Sequence, residues 1–441
     1  MKKILCLFLI LLLTITSSAI VGADSSTLAP QVDYASQLIF GDGDNDGDVD
    51  AADMLLLRKY IADNSFSNAD VLNLDTNADG KVNGMDTLKI QKHLTNKEIL
   101  TSENVYSIKS LEKCMYLTGR SVMKGKSLLM SQTASGMRFC ADTTGEMELY
   151  LKTDKNGYLD IVVDEDFTSY KRIQVKPSSA KYKVDFNLPK GVHSFRFFKA
   201  TEHTHNFLYT LNGLKIDGTL CEEKPQERPY RLEFYGDSMT SGYGNLGILA
   251  GAGGDWNNQD GLGTYATYLA NALDAEWAVA SSSGHGILGG HSDFTSHYKK
   301  FFDYSIVTSN TANNIAFSRT EYDADAIILN YGQNDYERSK GSLGCDLPAY
   351  KAECKKIIEQ FHADNPDAKI VWVLNMMYIA ENSGVHKMIE EACADYDYVT
   401  FVRMPTSRQN GADWHPSVED HRQLAQDLLN ILLPQGSATI F

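Results

Sequence analysis

The stretch Glu233-Phe-Tyr-Gly-Asp-Ser-Met-Thr-Ser-Gly-Tyr-Gly244 decides the fold of the C-terminal half of this 441-residue chain. The apolar run from Arg231 to Tyr235 predicts a buried strand, and the Gly236-Asp237 step predicts a tight turn at its end. In open α/β sheets such a turn lies at the carboxyl edge, where ligands bind. Gly-Asp-Ser is also an ordinary turn, so a nucleophilic role for Ser238 requires a base and an oxyanion hole nearby.

Strands and helices alternate from this turn to the C-terminus. The alternation predicts an α/β domain over residues 231–434, with a parallel sheet covered by helices on both faces. After the first strand the predicted elements are helix Thr264–Leu273, strand Trp277–Ser281, strand Ala326–Asn330, helix Ala349–His362, strand Lys369–Asn375, helix Gly384–Ala394, strand Tyr398–Met404 and helix Val418–Leu433.

Three further polar blocks are predicted at the same edge of the sheet. They are Ser281-Ser-Ser-Gly-His-Gly286, Tyr331-Gly-Gln-Asn-Asp335 and Gly411-Ala-Asp-Trp-His-Pro416. A serine nucleophile needs a base, for which His415 is the candidate. The anion that forms needs hydrogen-bond donors, and the candidates are the backbone N–H groups of Ser238 and Gly284 and the side-chain amide of Asn334. Gly284 is favoured over Gly286 because it follows the strand more closely.

These blocks resemble the SGNH (GDSL) hydrolases, whose name gives serine, glycine, asparagine and histidine in this chain order. The resemblance implies that Asp413 is the third member of a catalytic triad. The common family pattern places aspartate three residues before histidine, however, and this chain has Ala412 there. Two alternatives therefore stay open: the Asp413 side chain orients His415, or a backbone carbonyl does so and leaves a dyad. Asp335 is predicted to support a turn and not to catalyse.

Two 12-residue segments near the N-terminus repeat at a spacing of 33 residues. Each has oxygen-bearing side chains at positions 1, 3, 5, 9 and 12 and glycine at position 6, which is the pattern of a calcium-binding loop. The candidate ligands are Asp42, Asp44, Asp46, Asp48, Asp50 and Asp53 in the first loop, and Asp75, Asn77, Asp79, Lys81, Asn83 and Asp86 in the second. Amphipathic helices are predicted after the loops, at Met54–Ala62 and Thr87–Leu94. We therefore expect two structural calcium ions.

The duplicated loop and helix over residues 41–95 resemble a dockerin module, which implies a cohesin domain of a scaffold protein as its partner. Loop positions 10 and 11 are Ala51 and Ala52 in one repeat and Gly84 and Met85 in the other, which leaves the particular cohesin open. The segment has 11 Asp and 5 Lys or Arg, a net charge of −6. Repulsion within the loops predicts that the module is loose or unfolded in a chelator.

The remaining segments predict a secreted, multidomain protein. Residues 1–23 have the features of a signal peptide, residues 101–218 alternate like a β-sandwich of jelly-roll type, and residues 219–230 read as a linker. The net charge of −16 argues against nucleic acid as a partner, and no further apolar run is long enough for a membrane span. Of the six cysteines outside the signal peptide, Cys345 and Cys354 are the easiest pair to bridge.

A β-sandwich ahead of such a hydrolase domain resembles the family 2 carbohydrate esterases. The resemblance implies a scaffold-attached acetyl esterase that acts on acetylated plant polysaccharide and needs no cofactor for catalysis. Trp414, beside His415, is the aromatic residue that we expect to contact the sugar. Two alternatives remain: an SGNH esterase that acts on lipid or on peptidoglycan acetyl groups, and a catalytically inert carbohydrate-binding protein.

Overall fold

The structure is a computed structural model that describes residues 39–45, 48–63, 71–77, 79–95, 97, 104–203, 208–249, 255–290, 293, 295–341 and 344–433. The predicted signal peptide, residues 1–23, and the candidate ligand Asp46 lie outside these ranges. The described residues all belong to one compact unit, Asp33–Phe441. Among them, no helix has the length and apolar character that crossing a membrane requires.

The calcium-loop repeats form three helices, α1 (Ala51–Ala62), α2 (Val71–Leu74) and α3 (Gly84–Leu94). Helices α1 and α3 each begin three residues earlier than predicted, because Asp50 and Asn83 cap them. The Asp50 side chain accepts the backbone N–H of Ala52, while the side chain of Asp53 accepts the N–H of Asp50. Position 9 of each loop therefore has a second use as a helix cap. Leu57, Leu74 and Ile90 form a small core between the helices.

The next region is rich in β-structure, as predicted. Its strands are β1 (Val105–Ser107), β2 (Met115–Thr118), β3 (Val122–Lys124), β4 (Ser127–Met130), β5 (Gly136–Thr143), β6 (Glu146–Thr153), β7 (Gly157–Val163), β8 (Tyr170–Val175), β9 (Lys181–Asp185), β10 (Gly191–Lys199), β11 (Tyr209–Ile216) and β12 (Thr219–Leu220), with helix α4 (Ile108–Leu111) after β1. They form two six-stranded sheets, one in the order β3-β4-β11-β6-β9 with β1 beside β11, the other in the order β12-β5-β10-β7-β8 with β2 beside β5. Neighbouring strands are antiparallel. The jelly-roll arrangement stays a prediction.

The C-terminal half contains the predicted parallel sheet. The strands of this half are β13 (Tyr230–Gly236), β14 (Ala275–Ser281), β15 (Tyr304–Ile306), β16 (Ile315–Ala316), β17 (Ala326–Asn330), β18 (Lys369–Leu374) and β19 (Val399–Arg403). Its helices are α5 (Ser238–Ser241), α6 (Tyr265–Ala272), α7 (Arg319–Tyr322), α8 (Gln333–Lys340), α9 (Leu347–Asp364), α10 (Gly384–Ala394) and α11 (Val418–Leu432). Strands β14-β13-β17-β18-β19 form the sheet in that order, and β15 and β16 pair separately. Strand β13 lies between β14 and β17, and Ser238 follows it at the carboxyl edge of the sheet.

Alternate residues of the parallel strands belong to two separate cores. Phe234 of β13 packs in one cluster with residues of α6 and α11. Its neighbour Tyr235 packs in the other cluster, with residues of α9 and α10. Because both faces of these strands are buried, the strands read as nearly continuous apolar runs in the sequence.

Charged and aromatic side chains join the β-rich region to the C-terminal half. The Arg196 guanidinium donates two hydrogen bonds of 2.9 Å to the Glu276 carboxylate at the start of β14. Phe198 stacks on Trp277, with ring centroids 5.5 Å apart. All six cysteines of the described residues are free, so Cys345 and Cys354 are not paired.

Candidate active site

Ser238 begins the short helix α5 directly after strand β13. A Cβ atom on Gly236 would lie 1.9 Å from the Thr240 hydroxyl oxygen, so the turn accepts only glycine there. The Asp237 carboxylate caps α5 by accepting the backbone N–H of Met239 at 3.2 Å. The backbone N–H of Ser238 lies in the first turn and has no partner among the described residues, which leaves it available to an anion.

His415 contacts the serine through one ring nitrogen and the backbone through the other. The Nε2 atom lies 2.7 Å from the Ser238 hydroxyl oxygen, and the Nδ1 atom lies 2.8 Å from the carbonyl oxygen of Asp413. A carbonyl only accepts hydrogen bonds, so Nδ1 carries the proton and Nε2 is left to accept from the serine.

Asp413 therefore reaches His415 by its backbone and not by its carboxylate. Of the two alternatives left open by the sequence, the geometry agrees with the second, in which a carbonyl holds the ring. The backbone makes this possible because Asp413 and Trp414 both have positive φ angles, of 50° and 60°. Two successive left-handed residues turn the Asp413 carbonyl back toward the imidazole.

Burial lowers the pKa of His415 below its ordinary value of 6.5. The Asp413 carbonyl and the negative charges of Asp413 and Glu202 act in the opposite direction, but burial is the larger effect. The ring is therefore neutral at neutral pH, as a general base requires. The Tyr243 ring covers it, with centroids 4.7 Å apart.

The loop after β14, residues 282–288, supplies the second set of backbone donors. The Gly286 N–H already donates to the carbonyl of Ser296 at 3.2 Å. In contrast, the N–H of Gly284, where φ is 76°, has no partner among the described residues. The geometry thus agrees with Gly284 as the candidate oxyanion donor.

Asn334 lies at the start of α8 and faces the same site. Its side-chain NH₂ group donates to the Asp237 carboxylate at 3.0 Å and to the carbonyl of His285 at 2.8 Å. Donation to a substrate oxygen would replace or share one of these bonds. Asn334 thereby ties the serine turn to the 282–288 loop.

Asp335 binds the backbone of the 282–288 loop, in agreement with its predicted role in supporting a turn. Its carboxylate accepts the N–H groups of Ile287 at 2.8 Å and Leu288 at 3.0 Å, and the Arg338 guanidinium at 3.0 Å. Burial raises the pKa of Asp335 to about 6. A Cβ atom on Gly286 would lie 2.6 Å from this carboxylate, so the loop needs glycine to approach it.

Three aromatic side chains of the C-terminal half differ in their exposure. Trp414 is 61% exposed beside His415, as a sugar-contacting residue would be. Tyr336 is buried, and Trp256 packs on Tyr158 with centroids 5.6 Å apart. Trp414 is the one whose side chain is open to a ligand among these three.

One residue of the site was not singled out from sequence. Glu202, in the β-rich region, accepts the backbone N–H of Ser283 at 2.7 Å. Nothing in its local sequence marks it, because its partner lies 81 residues away.

The first calcium loop brings carboxylates together as a cation site requires. Ligand oxygens of Asp42, Asp44 and Asp53 lie within 4.8 Å of one another, as do those of Asp48, Asp50 and Asp53. Burial is the main cause that raises the pKa of Asp53. Asp42 and Asp53 are buried and the other three are exposed. Carboxylates this close repel one another unless a cation joins them, so these residues fit calcium.

The second loop is built in the same way. Asp75 accepts the N–H groups of Asp79 at 3.0 Å and Gly80 at 2.8 Å, and Asp86 accepts the N–H of Asn77 at 3.3 Å. Burial, assisted by the nearby charge of Asp86, raises the pKa of Asp75 to about 6. Asn83 caps α3, and the Lys81 N–H donates to Asp79.

Two family models match the chain. Residues 40–95 match the Dockerin type I domain, and residues 234–428 match the GDSL-like Lipase/Acylhydrolase family. The chain therefore combines a dockerin type I domain with a GDSL-like hydrolase domain, which confirms both resemblances.

Two curated relatives each match more than half of the chain. The Cellulase/esterase CelE of Acetivibrio thermocellus is 24% identical over 298 residues, which are 64% of this chain and 35% of the relative. The Acetylxylan esterase / glucomannan deacetylase of Cellvibrio japonicus is 25% identical over 273 residues, 58% of this chain and 73% of the relative. The match thus spans about a third of the length of the first relative.

Solved structures share the fold of the β-rich region and the hydrolase domain together. A family two carbohydrate esterase from Clostridium thermocellum, in complex with cellohexaose, superimposes with a TM-score of 0.65 at 21% identity, covering 73% of this chain and 99% of that one. The family two carbohydrate esterase from Cellvibrio japonicus gives a TM-score of 0.65 at 18% identity, covering 75% and 98%. The fold is that of these esterases.

Proposed function

We propose that this protein is a secreted serine esterase that removes acetyl groups from plant cell-wall polysaccharide while its dockerin domain is bound to a cohesin of a scaffold. The observation that carries the proposal is the contact of 2.7 Å between the Ser238 hydroxyl and Nε2 of His415, whose other nitrogen is held by a carbonyl. This is the arrangement of a nucleophile with its base.

The reaction takes two steps. His415 removes the proton of Ser238 as the serine oxygen attacks the acetyl carbonyl, and the anion is held by the N–H groups of Ser238 and Gly284 and the amide of Asn334. The C–O bond to the sugar then breaks, and the imidazolium returns its proton to the sugar oxygen. Water, with its proton taken by His415, hydrolyses the acetyl-serine to acetate and free enzyme.

The Asp413 carbonyl accepts the Nδ1 proton throughout and stabilises the imidazolium. We assign the catalysis to a Ser238–His415 dyad supported by this backbone group. No cofactor takes part in either step.

Three features support the substrate class and the location. Trp414 is exposed beside the base and offers a flat face to a sugar ring. The relatives carry the names acetylxylan esterase, glucomannan deacetylase and cellulase/esterase. The match to the Dockerin type I domain, for which we propose one calcium ion in each loop, and the leader predicted in residues 1–23 support attachment to an extracellular scaffold. We also propose that the two antiparallel sheets pack as a jelly-roll sandwich.

Acetate release from acetylated xylan and acetylated glucomannan tests the proposal. Ser238→Ala should abolish release, whereas Ser178→Ala, an exposed serine of the β-rich region, should not change it. Retained turnover in the Ser238 variant would overturn the assignment. Preference for long acyl esters or acetylated peptidoglycan would favour the other SGNH substrates, and an inactive wild-type protein would favour the inert binding protein.

A further inference from the structure

We propose that Glu202, which belongs to the β-rich region, is a positioning residue for the 282–288 loop and so for the oxyanion hole. The inference rests on the proposed esterase function. It assigns a second task to the β-rich region, which contributes a side chain to the active site in addition to any support of the fold.

The contact is direct and buried. The Glu202 side chain is 1% exposed, and its Oε2 atom accepts the N–H of Ser283 at 2.7 Å. A carboxylate that accepts a backbone N–H in a buried site forms a short and strong hydrogen bond. This bond fixes the Ser282–Ser283 peptide group, which directly precedes the peptide group that carries the Gly284 N–H.

Glu202 is itself held from both halves of the chain. Its backbone N–H donates to the Gln259 side chain at 3.0 Å, and its carbonyl accepts the buried Lys199 ammonium at 3.2 Å. These two bonds fix the backbone from which the Glu202 carboxylate extends. The loop is thus fastened on one side by Glu202 and on the other by Asp335.

The same carboxylate also acts on the catalytic base by its charge. Glu202 and Asp413 are the negative groups that raise the pKa of His415 against the effect of burial. Burial lowers the pKa of His285 in the loop, as does the charge of Lys300, and the charges of Glu202 and Asp293 act in the opposite direction. Loss of the Glu202 charge should therefore move the acid limb of activity to lower pH. A residue that only supported the fold would not produce this shift.

Glu202→Ala and Glu202→Gln separate the two effects. Glu202→Ala removes both the acceptor and the charge, whereas Glu202→Gln keeps an acceptor for the Ser283 N–H and removes the charge. Glu165→Gln is the matched control, because Glu165 is a carboxylate of the β-rich region that binds Arg196 and Arg228 at the opposite edge of the sheet. All three are made in the full chain with calcium present.

The measurements are kcat, KM and the pH profile of acetate release, with melting temperature recorded alongside. We expect kcat of Glu202→Ala to fall about 10- to 100-fold with KM changed less than about threefold, since small misplacement of a catalytic group costs this much. Glu202→Gln should lose about tenfold or less. Both should shift the acid limb downward by some tenths of a pH unit, and Glu165→Gln should change neither kcat nor the limb.

A wild-type kcat and an unshifted acid limb in Glu202→Gln and Glu202→Ala would overturn the proposal. If Glu202→Ala fails to fold, an unshifted limb in Glu202→Gln alone would overturn it. The rate at which a fluorophosphonate labels Ser238 provides a readout that does not depend on the acetyl substrate. A wild-type protein that is labelled but releases no acetate contradicts only the proposed substrate, and slower labelling of Glu202→Ala would still support the role of Glu202.

Discussion

The carbonyl oxygen of Asp413 lies 2.8 Å from Nδ1 of His415, at a residue whose φ is 50°. The peptide group, and not the carboxylate, orients the base. Asp413→Asn preserves this carbonyl, and asparagine tolerates the left-handed conformation. We expect kcat for acetate release to stay within about threefold of wild type, whereas neutralising the aspartate of a working triad costs about 10⁴-fold. A fall in kcat of more than about 100-fold would instead show that the Asp413 carboxylate acts as the third member of a triad.

The acid limb of activity should lie below pH 6.5. Burial lowers the pKa of His415, so the ring stays neutral and able to accept the serine proton as the pH falls through 6.5. Activity is lost only when the pH passes the lowered pKa. The midpoint of kcat/KM against pH, measured with a chromogenic acetate, checks this, and a midpoint at or above 6.5 would contradict it.

Asp335→Asn should impair both stability and catalysis. The change places an NH₂ group against the N–H groups of Ile287 or Leu288 and leaves the buried Arg338 without its carboxylate. Removing one partner of a buried ion pair costs about 3 kcal/mol. Urea unfolding and kcat measure the two effects. Glu337→Gln, in the same helix but in a surface pair with Lys340, is the control and should cost less than about 1 kcal/mol.

His421→Gln should reduce the acid sensitivity of the fold. Burial lowers the pKa of His421 to about 3, while the unfolded chain titrates near 6.5. Between these values the unfolded state binds the proton and the folded state does not, so wild-type stability falls by up to about 1.4 kcal/mol for each pH unit below 6.5. Glutamine keeps an acceptor for the Tyr265 N–H. Unfolding at pH 7 and pH 5 should show a shallower decline in the variant, and equal slopes would contradict the prediction.

Chelation should loosen the calcium loops without stopping acetate release. In the first loop, ligand oxygens of Asp42, Asp44 and Asp53 lie within 4.8 Å of one another, as do those of Asp48, Asp50 and Asp53, and they repel without a cation. Hydrogen exchange of the full chain should become faster in α1 and α3 when EDTA replaces calcium. Activity measured in the same samples should be unchanged, because the two-step reaction uses no metal. Unchanged exchange, or loss of activity reversed by calcium, would each count against this separation.

Local sequence patterns were sufficient for much of the fold and for the central catalytic contact. The apolar run before Gly236-Asp-Ser238 predicted a buried strand. The two similar 12-residue segments that begin at Asp42 and Asp75 predicted the calcium loops. The orientation of His415 was not accessible, since it depends on the backbone angles of Asp413 and Trp414. Glu202 was not accessible either, because a hydrogen bond across 81 residues leaves no local pattern. Helices α1 and α3 begin earlier than predicted because Asp50 and Asn83 cap them, and the sequence pattern had marked both residues only as calcium ligands.

The Arg196–Glu276 and Phe198–Trp277 contacts have a practical meaning for enzyme engineering. The sequence of residues 219–230, which contains prolines, suggests a site for truncation. A catalytic fragment that began there would lose Phe198 and Arg196, which would expose Trp277 and leave Glu276 without its arginine. The transferable part for building new enzyme mixtures is residues 104–433, and the suitable fusion point for a different anchor lies just before residue 104.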